Sequence, residues 1–188
     1  MDIILQTLKE LPKKLYEIDL TSQGIGEFIG RCQAICNETI LAYASERIAE
    51  LDSAILSSNA ERGDWKAVKC NVPRSVETKA GLLEYHRRYY RNIQTKEYAY
   101  LADHALQIES YQRVEDHLEL ALVKSASEMS YRSASASVCE GRVSPSTVMN
   151  IIRKIEIPEE KPKESKKRVE ELHIQADEDH VHLQKGID

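Results

Sequence analysis

The pattern of apolar positions divides the chain into stretches of different period. From Ile25 to Ser57 apolar residues recur at helical spacing: Phe28, Cys32, Ile35 and Cys36, then Leu41, Ala44, Ile48, Leu51 and Ile55. A stripe of that length predicts one long amphipathic helix that buries its apolar side against a partner helix, in the same chain or another. Before it, residues 1–20 predict a shorter amphipathic helix that breaks or restarts at Pro12. Thr21 to Gly26 reads as a loop and cap, and Asn59 to Asp64, polar and containing Gly63, reads as a loop.

The period then falls to two. Val68, Cys70 and Val72 alternate with polar residues, as do Val76, Thr78 and Ala80, and Gly81 marks a turn. Leu83, Tyr85, Arg87 and Tyr89 share one face of the next strand, with Glu84, His86, Arg88 and Tyr90 on the other. Asn92 to Lys96 forms a second turn, and Glu97 to Leu101 returns. This pattern predicts a small antiparallel sheet. Tyr and Arg interleaved on a strand suit nucleic-acid backbones, through stacking and phosphate pairing by Arg87, Arg88 and Arg91. They equally suit cross-strand packing of Tyr with Arg stems laid over it.

From Ala102 the helical period returns. Asp103 to Ile108 is a short helical turn, and Val114 to Met129 is a helix with Leu118, Ala121, Leu122, Ser125 and Met129 on its stripe. Tyr131 to Cys139 is a helix of small residues, and Glu140 to Val143 is a turn. Ser144 and Pro145 are an N-cap and first helical residue. The helix that follows runs to about Ile155, with Val148, Ile151, Ile152 and Ile155 inward and Ser146, Thr147, Asn150, Arg153 and Lys154 outward. Helix, glycine turn, Ser-Pro cap and amphipathic helix make up a helix-turn-helix pattern. Short polar and basic side chains on its second helix fit a DNA major groove. A plain helical hairpin has the same pattern.

Residues 157–170 are rich in Pro, Glu and Lys and read as a charged linker. The last stretch, 171–188, reads as a strand: Leu172, Ile174 and Ala176 alternate with polar residues, and Val181 and Leu183 resume in the opposite phase. The acids Asp177, Glu178 and Asp179 interrupt it. An ionised carboxylate loses hydration in a buried strand, so such a cluster points either to a divalent-metal site or to an exposed strand with solvated acids. The expected organisation is therefore a helical region over 1–64, a sheet over 65–103, helices with the helix-turn-helix over 104–156, the linker, and the acid-bearing strand. The fold class is α+β.

Composition narrows the function. Charged residues make up 30% and hydrophobic ones 41%, with nine Tyr but a single Trp and a single Phe. The net charge of −5 and pI near 5.8 count against a simple basic nucleic-acid binder, yet leave room for a local basic face. No apolar run is long enough to span a bilayer, and Met1 to Leu5 lacks a signal-peptide pattern. Cys32, Cys36, Cys70 and Cys139 form no CxxC pair and read as free thiols of a cytoplasmic protein.

Several segments, in order, carry a resemblance. They are Tyr85-His-Arg-Arg-Tyr-Tyr-Arg91, Tyr100-Leu-Ala-Asp103, Tyr111-Gln-Arg113, Ser125-Ala-Ser-Glu-Met-Ser-Tyr-Arg132, Ser144-Pro-Ser-Thr-Val-Met-Asn150 and Gln175-Ala-Asp-Glu-Asp-His-Val-His-Leu-Gln184. Together they resemble the ISLre-type insertion-sequence transposases of bacteria, whose catalytic domain is RNase H-like. The resemblance implies a metal-dependent DNA transposase that acts on the element's terminal repeats. In such enzymes three acids hold two Mg2+ ions, which activate water and then a DNA 3′-hydroxyl for attack on phosphodiesters. By its place in the motif, Asp177 is the first acid, with Asp179 as the fallback. The two share one strand face and both reach one metal, whereas Glu178, His180 and His182 fall on the other. The second and third acids would lie beyond Asp188. The expectation is therefore the amino-terminal part of a transposase, with the first strand of an incomplete RNase H-like domain and no strand-transfer activity alone. A non-catalytic DNA-binding or oligomerisation regulator derived from a transposase is the alternative.

Overall fold

A computed structural model describes residues 2–19 and 24–155. The linker, the terminal strand and its candidate metal ligands Asp177 and Asp179 lie outside the described residues. The described residues confirm an α+β fold. They comprise α1 (Asp2–Tyr16), α2 (Ile25–Ser57), α3 (Asn59–Arg62), β1 (Trp65–Thr78), β2 (Gly81–Asn92), β3 (Tyr98–Ala99), α4 (Leu101–Ala105), α5 (Asp116–Ala126), α6 (Tyr131–Cys139) and α7 (Pro145–Arg153).

Helix α2 covers the predicted span, a length of about 50 Å at 1.5 Å per residue. Its carboxyl-terminal half lies on β2 and buries Ile48, Asp52 and Ile55. Helix α1 runs through Pro12 instead of breaking there, and packs on α2. The expected loop at 59–64 is instead the short helix α3, closed by Gly63 at φ +52°.

The sheet is a three-stranded antiparallel meander in the order β1-β2-β3. The two runs read at 68–72 and 76–80 are one strand, β1, whose register shifts against β2 between Ala67 and Val72. Asn71, at φ 55°, sits in this irregularity. Across it Arg88 has no ladder partner, and its amide donates instead to Asp52 Oδ1 of α2 at 3.2 Å. The extra residues in β1 thus leave a donor that a helical carboxylate must satisfy. At the β1–β2 turn Gly81 has φ +134°, a conformation that favours glycine, and a Cβ there would also press on Leu41 Cδ1 of α2 at 3.0 Å. The expected third strand shrinks to Tyr98–Ala99, because α4 begins at Leu101.

Helices α5, α6 and α7 close around Val114, Leu118, Leu122, Cys139, Val143, Val148 and Ile151. Leu118, Leu122 and Val148 are fully enclosed. Each contributes about 1.5–3 kcal/mol through burial alone. Two predicted core positions miss this core. Met129 falls beyond the end of α5, and Ile155 beyond the end of α7, so both remain exposed. The three-helix unit joins the sheet through paired backbone bonds, Glu77 N–H to Arg113 O at 2.7 Å and Glu115 N–H to Glu77 O at 2.9 Å.

Candidate nucleic-acid interface

The helix-turn-helix is built from small residues outward. Ala134 and Ser135 are buried where α6 crosses its neighbours, a site that a larger side chain would hold apart. The turn bends through Glu140 at φ 56° and Gly141 at φ 79°. The Ser135 hydroxyl donates to the carbonyl of Val143, and the Cys139 thiol donates to Ser135 O at 3.3 Å. The carbonyl of buried Val143 is therefore satisfied from α6. Ser135→Ala would strand the Val143 carbonyl and is expected to cost about 1–3 kcal/mol, read as a lowered unfolding midpoint. Arg142 anchors the turn to the sheet, with Nε 3.2 Å from Glu77 Oε2 and an N–H donating to Thr78 O at 3.1 Å.

Helix α7 starts as the sequence predicts. Ser144 Oγ accepts from the Thr147 amide at 3.1 Å, and Pro145 occupies the first turn. Val148 and Ile151 face the core, while Ser146, Asn150, Arg153 and Lys154 are exposed. Thr147 is half-buried, its hydroxyl 2.8 Å from that of Ser144, so it serves the cap first. Ser146, Asn150 and Arg153 follow at helical intervals along the open side of α7.

The arginines of β2 part company. Arg87 is buried and forms an ion pair with Asp103 of α4, and its guanidinium carbon lies 3.5 Å above the centre of the Tyr100 ring. Burial holds its pKa below the ordinary arginine value, against the pull of Tyr85 and Tyr100. Arg88 pairs with Asp52 of α2. Both therefore hold helices to the sheet, and either would have to give up a buried carboxylate to meet a phosphate. Only Arg91 remains exposed, 5.7 Å from the Tyr98 ring. The Tyr85 hydroxyl donates to Asp103 Oδ1 at 2.9 Å, and burial pushes its pKa up.

Beside these groups opens a cleft of about 880 Å³, lined by Arg74, Arg87, Tyr89, Tyr98, Tyr100 and Tyr111 among others. The clustering of Tyr residues between 85 and 100 signals part of it. Arg74 and Tyr111 come from distant segments, and no local pattern ties either of them to the cleft.

Among the described residues no group of three or more His, Cys, Asp or Glu side chains could hold a metal ion. No metal-dependent step is therefore assigned to them. Cys32 and Cys36 are half-buried free thiols. Among the described residues no helix is long and apolar enough to cross a membrane.

A family model described as "Uncharacterised protein family (UPF0236)" matches residues 24–188. The chain belongs to the UPF0236 family. Two UPF0236 proteins of Caldanaerobacter subterraneus subsp. tengcongensis are each 35% identical to it over 192 residues. The match covers 100% of this chain, and 41% of one relative and 39% of the other. A third from the same organism is 34% identical over 98% of this chain and 40% of its own length. The chain thus spans about two fifths of the length of these UPF0236 relatives. No solved structure matches it.

Proposed function

We propose that this UPF0236 chain is the DNA-binding portion of an insertion-sequence transposase, with α7 as the helix that enters the major groove. One observation carries this reading. Helices α5–α7 form a closed three-helix core that leaves Ser146, Asn150 and Arg153 on the open side of the capped helix α7. Asn suits the paired acceptor and donor of adenine, and Arg suits the two acceptors of guanine. Exposed Lys154, the C-cap of α7, is proposed for a phosphate contact. The name of one relative joins eleven locus designations of a single organism. Such multiplicity supports a DNA element that copies itself. Asp177, with Asp179 as the fallback, is proposed as the first acid of the Mg2+ site of such a transposase.

The test is an anisotropy titration with duplexes carrying the terminal repeats of the encoding element, against scrambled duplexes. Binding is expected to weaken steeply as salt rises. Asn150→Ala and Arg153→Ala are each expected to cost about 1–3 kcal/mol on the repeat and to erode its advantage over scrambled sequence. Lys154→Ala is expected to weaken both duplexes alike. Absence of salt-sensitive binding would remove the proposal.

A second reading, an oligomerisation module, rests on exposed Ile25, Ile29, Ile40 and Tyr43 along α2. A monomer in light scattering at high concentration would refute self-pairing through that helix.

A further inference from the structure

The cleft on the sheet lies apart from the α7 surface, and duplex binding gives it no task. Its wall is a ladder of rings. Tyr89 stacks on Tyr98 with centroids 5.3 Å apart and planes 15° apart, and meets Tyr100 at 4.8 Å. Arg87 continues the ladder beyond Tyr100. The outer ring, Tyr98, is half exposed, so one end of the stack is open. Tyr111, also on the cleft lining, is 90% exposed, on a backbone at φ 65°, a region that non-glycine residues enter infrequently. The segment carrying it is tied down. Arg74 donates to the carbonyls of Glu109 and Gln112, and the Glu109 amide donates to the Gln112 side chain at 2.9 Å. An exposed ring is therefore presented from a braced loop beside an open aromatic stack.

The charges decide what kind of ligand fits. Arg74 is engaged with backbone carbonyls, and Arg87 with Asp103, so the floor has little to offer a phosphate. Arg87 Nε is buried with no hydrogen-bond partner. Exposed Arg91, its guanidinium 5.7 Å from the Tyr98 ring, supplies a positive charge next to the stack, and exposed Glu109 lies on the cleft lining. This arrangement suits a flat, polar, uncharged group attached to an anionic backbone. Its volume lies within the range of about 300–1,000 Å³ typical of small-ligand clefts.

We propose that this cleft seats an unpaired base of single-stranded DNA. The base stacks on Tyr98 and Tyr111, and Arg91 meets the adjoining phosphate. The choice of DNA among flat ligands rests on the duplex-binding reading above. Stacking reads no sequence, because every base has a π face, so the site would be tolerant of base identity.

The experiment uses the full 188-residue chain and a labelled oligothymidylate of about fifteen nucleotides, with an abasic strand of equal length and charge as comparison. The oligothymidylate is expected to bind at least about tenfold more tightly than the abasic strand. Tyr98→Ala and Tyr111→Ala are each expected to weaken it between about fivefold and a hundredfold, and Tyr98→Phe to restore it. Tyr111→Ala touches an exposed side chain, so it keeps the test open if Tyr98→Ala fails to fold. Asn150→Ala is expected to leave single-strand binding unchanged while it weakens duplex binding. Equal affinity for the abasic strand, or no effect of Tyr111→Ala, would overturn the proposal. Single-strand binding without duplex binding would instead remove the α7 reading and leave the cleft assignment standing.

Discussion

Asp103→Ala is expected to destabilise the protein by about 3–5 kcal/mol, the largest effect of any single substitution proposed. Asp103 is 5% exposed and Arg87 is 6% exposed, so the carboxylate is the counter-charge to a guanidinium that water hardly reaches. Removing it leaves a buried, unpaired cation, which costs far more than the pair contributes while intact. The Tyr85 hydroxyl loses its acceptor in the same step. A domain of this size is stable by only about 5–15 kcal/mol, so the loss would be a large part of the total. Urea denaturation, with the slope compared between variants, measures it. The double substitution Arg87→Met with Asp103→Leu is expected to be much milder than Asp103→Ala, because no lone charge remains. If Asp103→Ala costs less than about 1 kcal/mol, the pair is better hydrated than its burial implies.

Leu118→Ala should cost about 2–5 kcal/mol. Leu118 is fully enclosed between α5, α6 and α7, and truncation leaves a cavity that three packed helices close only in part. Leu120 is the internal control. It lies two residues along α5 with 68% of its surface exposed, and Leu120→Ala should change stability by less than about 0.5 kcal/mol. Because Val148 and Ile151 of α7 rest on this same core, Leu118→Ala is also expected to weaken duplex binding at temperatures near its lowered melting point. Near-equal effects of the two leucine substitutions would mean that α5 packs by another face.

The parts of the fold that rest on local rules were legible from residue order. The full span of α2, the start of α7 at Ser144 and Pro145, and the span of α6 follow from periodicity and capping, which act within a few residues. Ends set by packing were not legible. Val114 to Met129 reads as one helix, yet α5 occupies only Asp116–Ala126, and residues at its first margin are drawn into contacts elsewhere. Val114 faces the helical core while its neighbours bond to Glu77 of β1. The candidate interface divides in the same way. Asn150 and Arg153 are recognisable because a helix face is a local property. Arg87, Arg88 and Arg91 look alike along the strand, and only the approach of Asp103 and Asp52 separates two helix anchors from one exposed cation.

By itself the sequence determined the α+β class, the period of each element, and the small-residue crossing and Ser-Pro cap of the helix-turn-helix, since all of these are short-range consequences of side-chain shape and hydrogen bonding. Only the tertiary structure decided which charges are internal. It alone brought Arg74 and Tyr111 to the same cleft as Tyr98, and set Leu41 against Gly81. Burial and long-range pairing depend on which distant segments fold against each other, and no residue's neighbours in the chain carry that information.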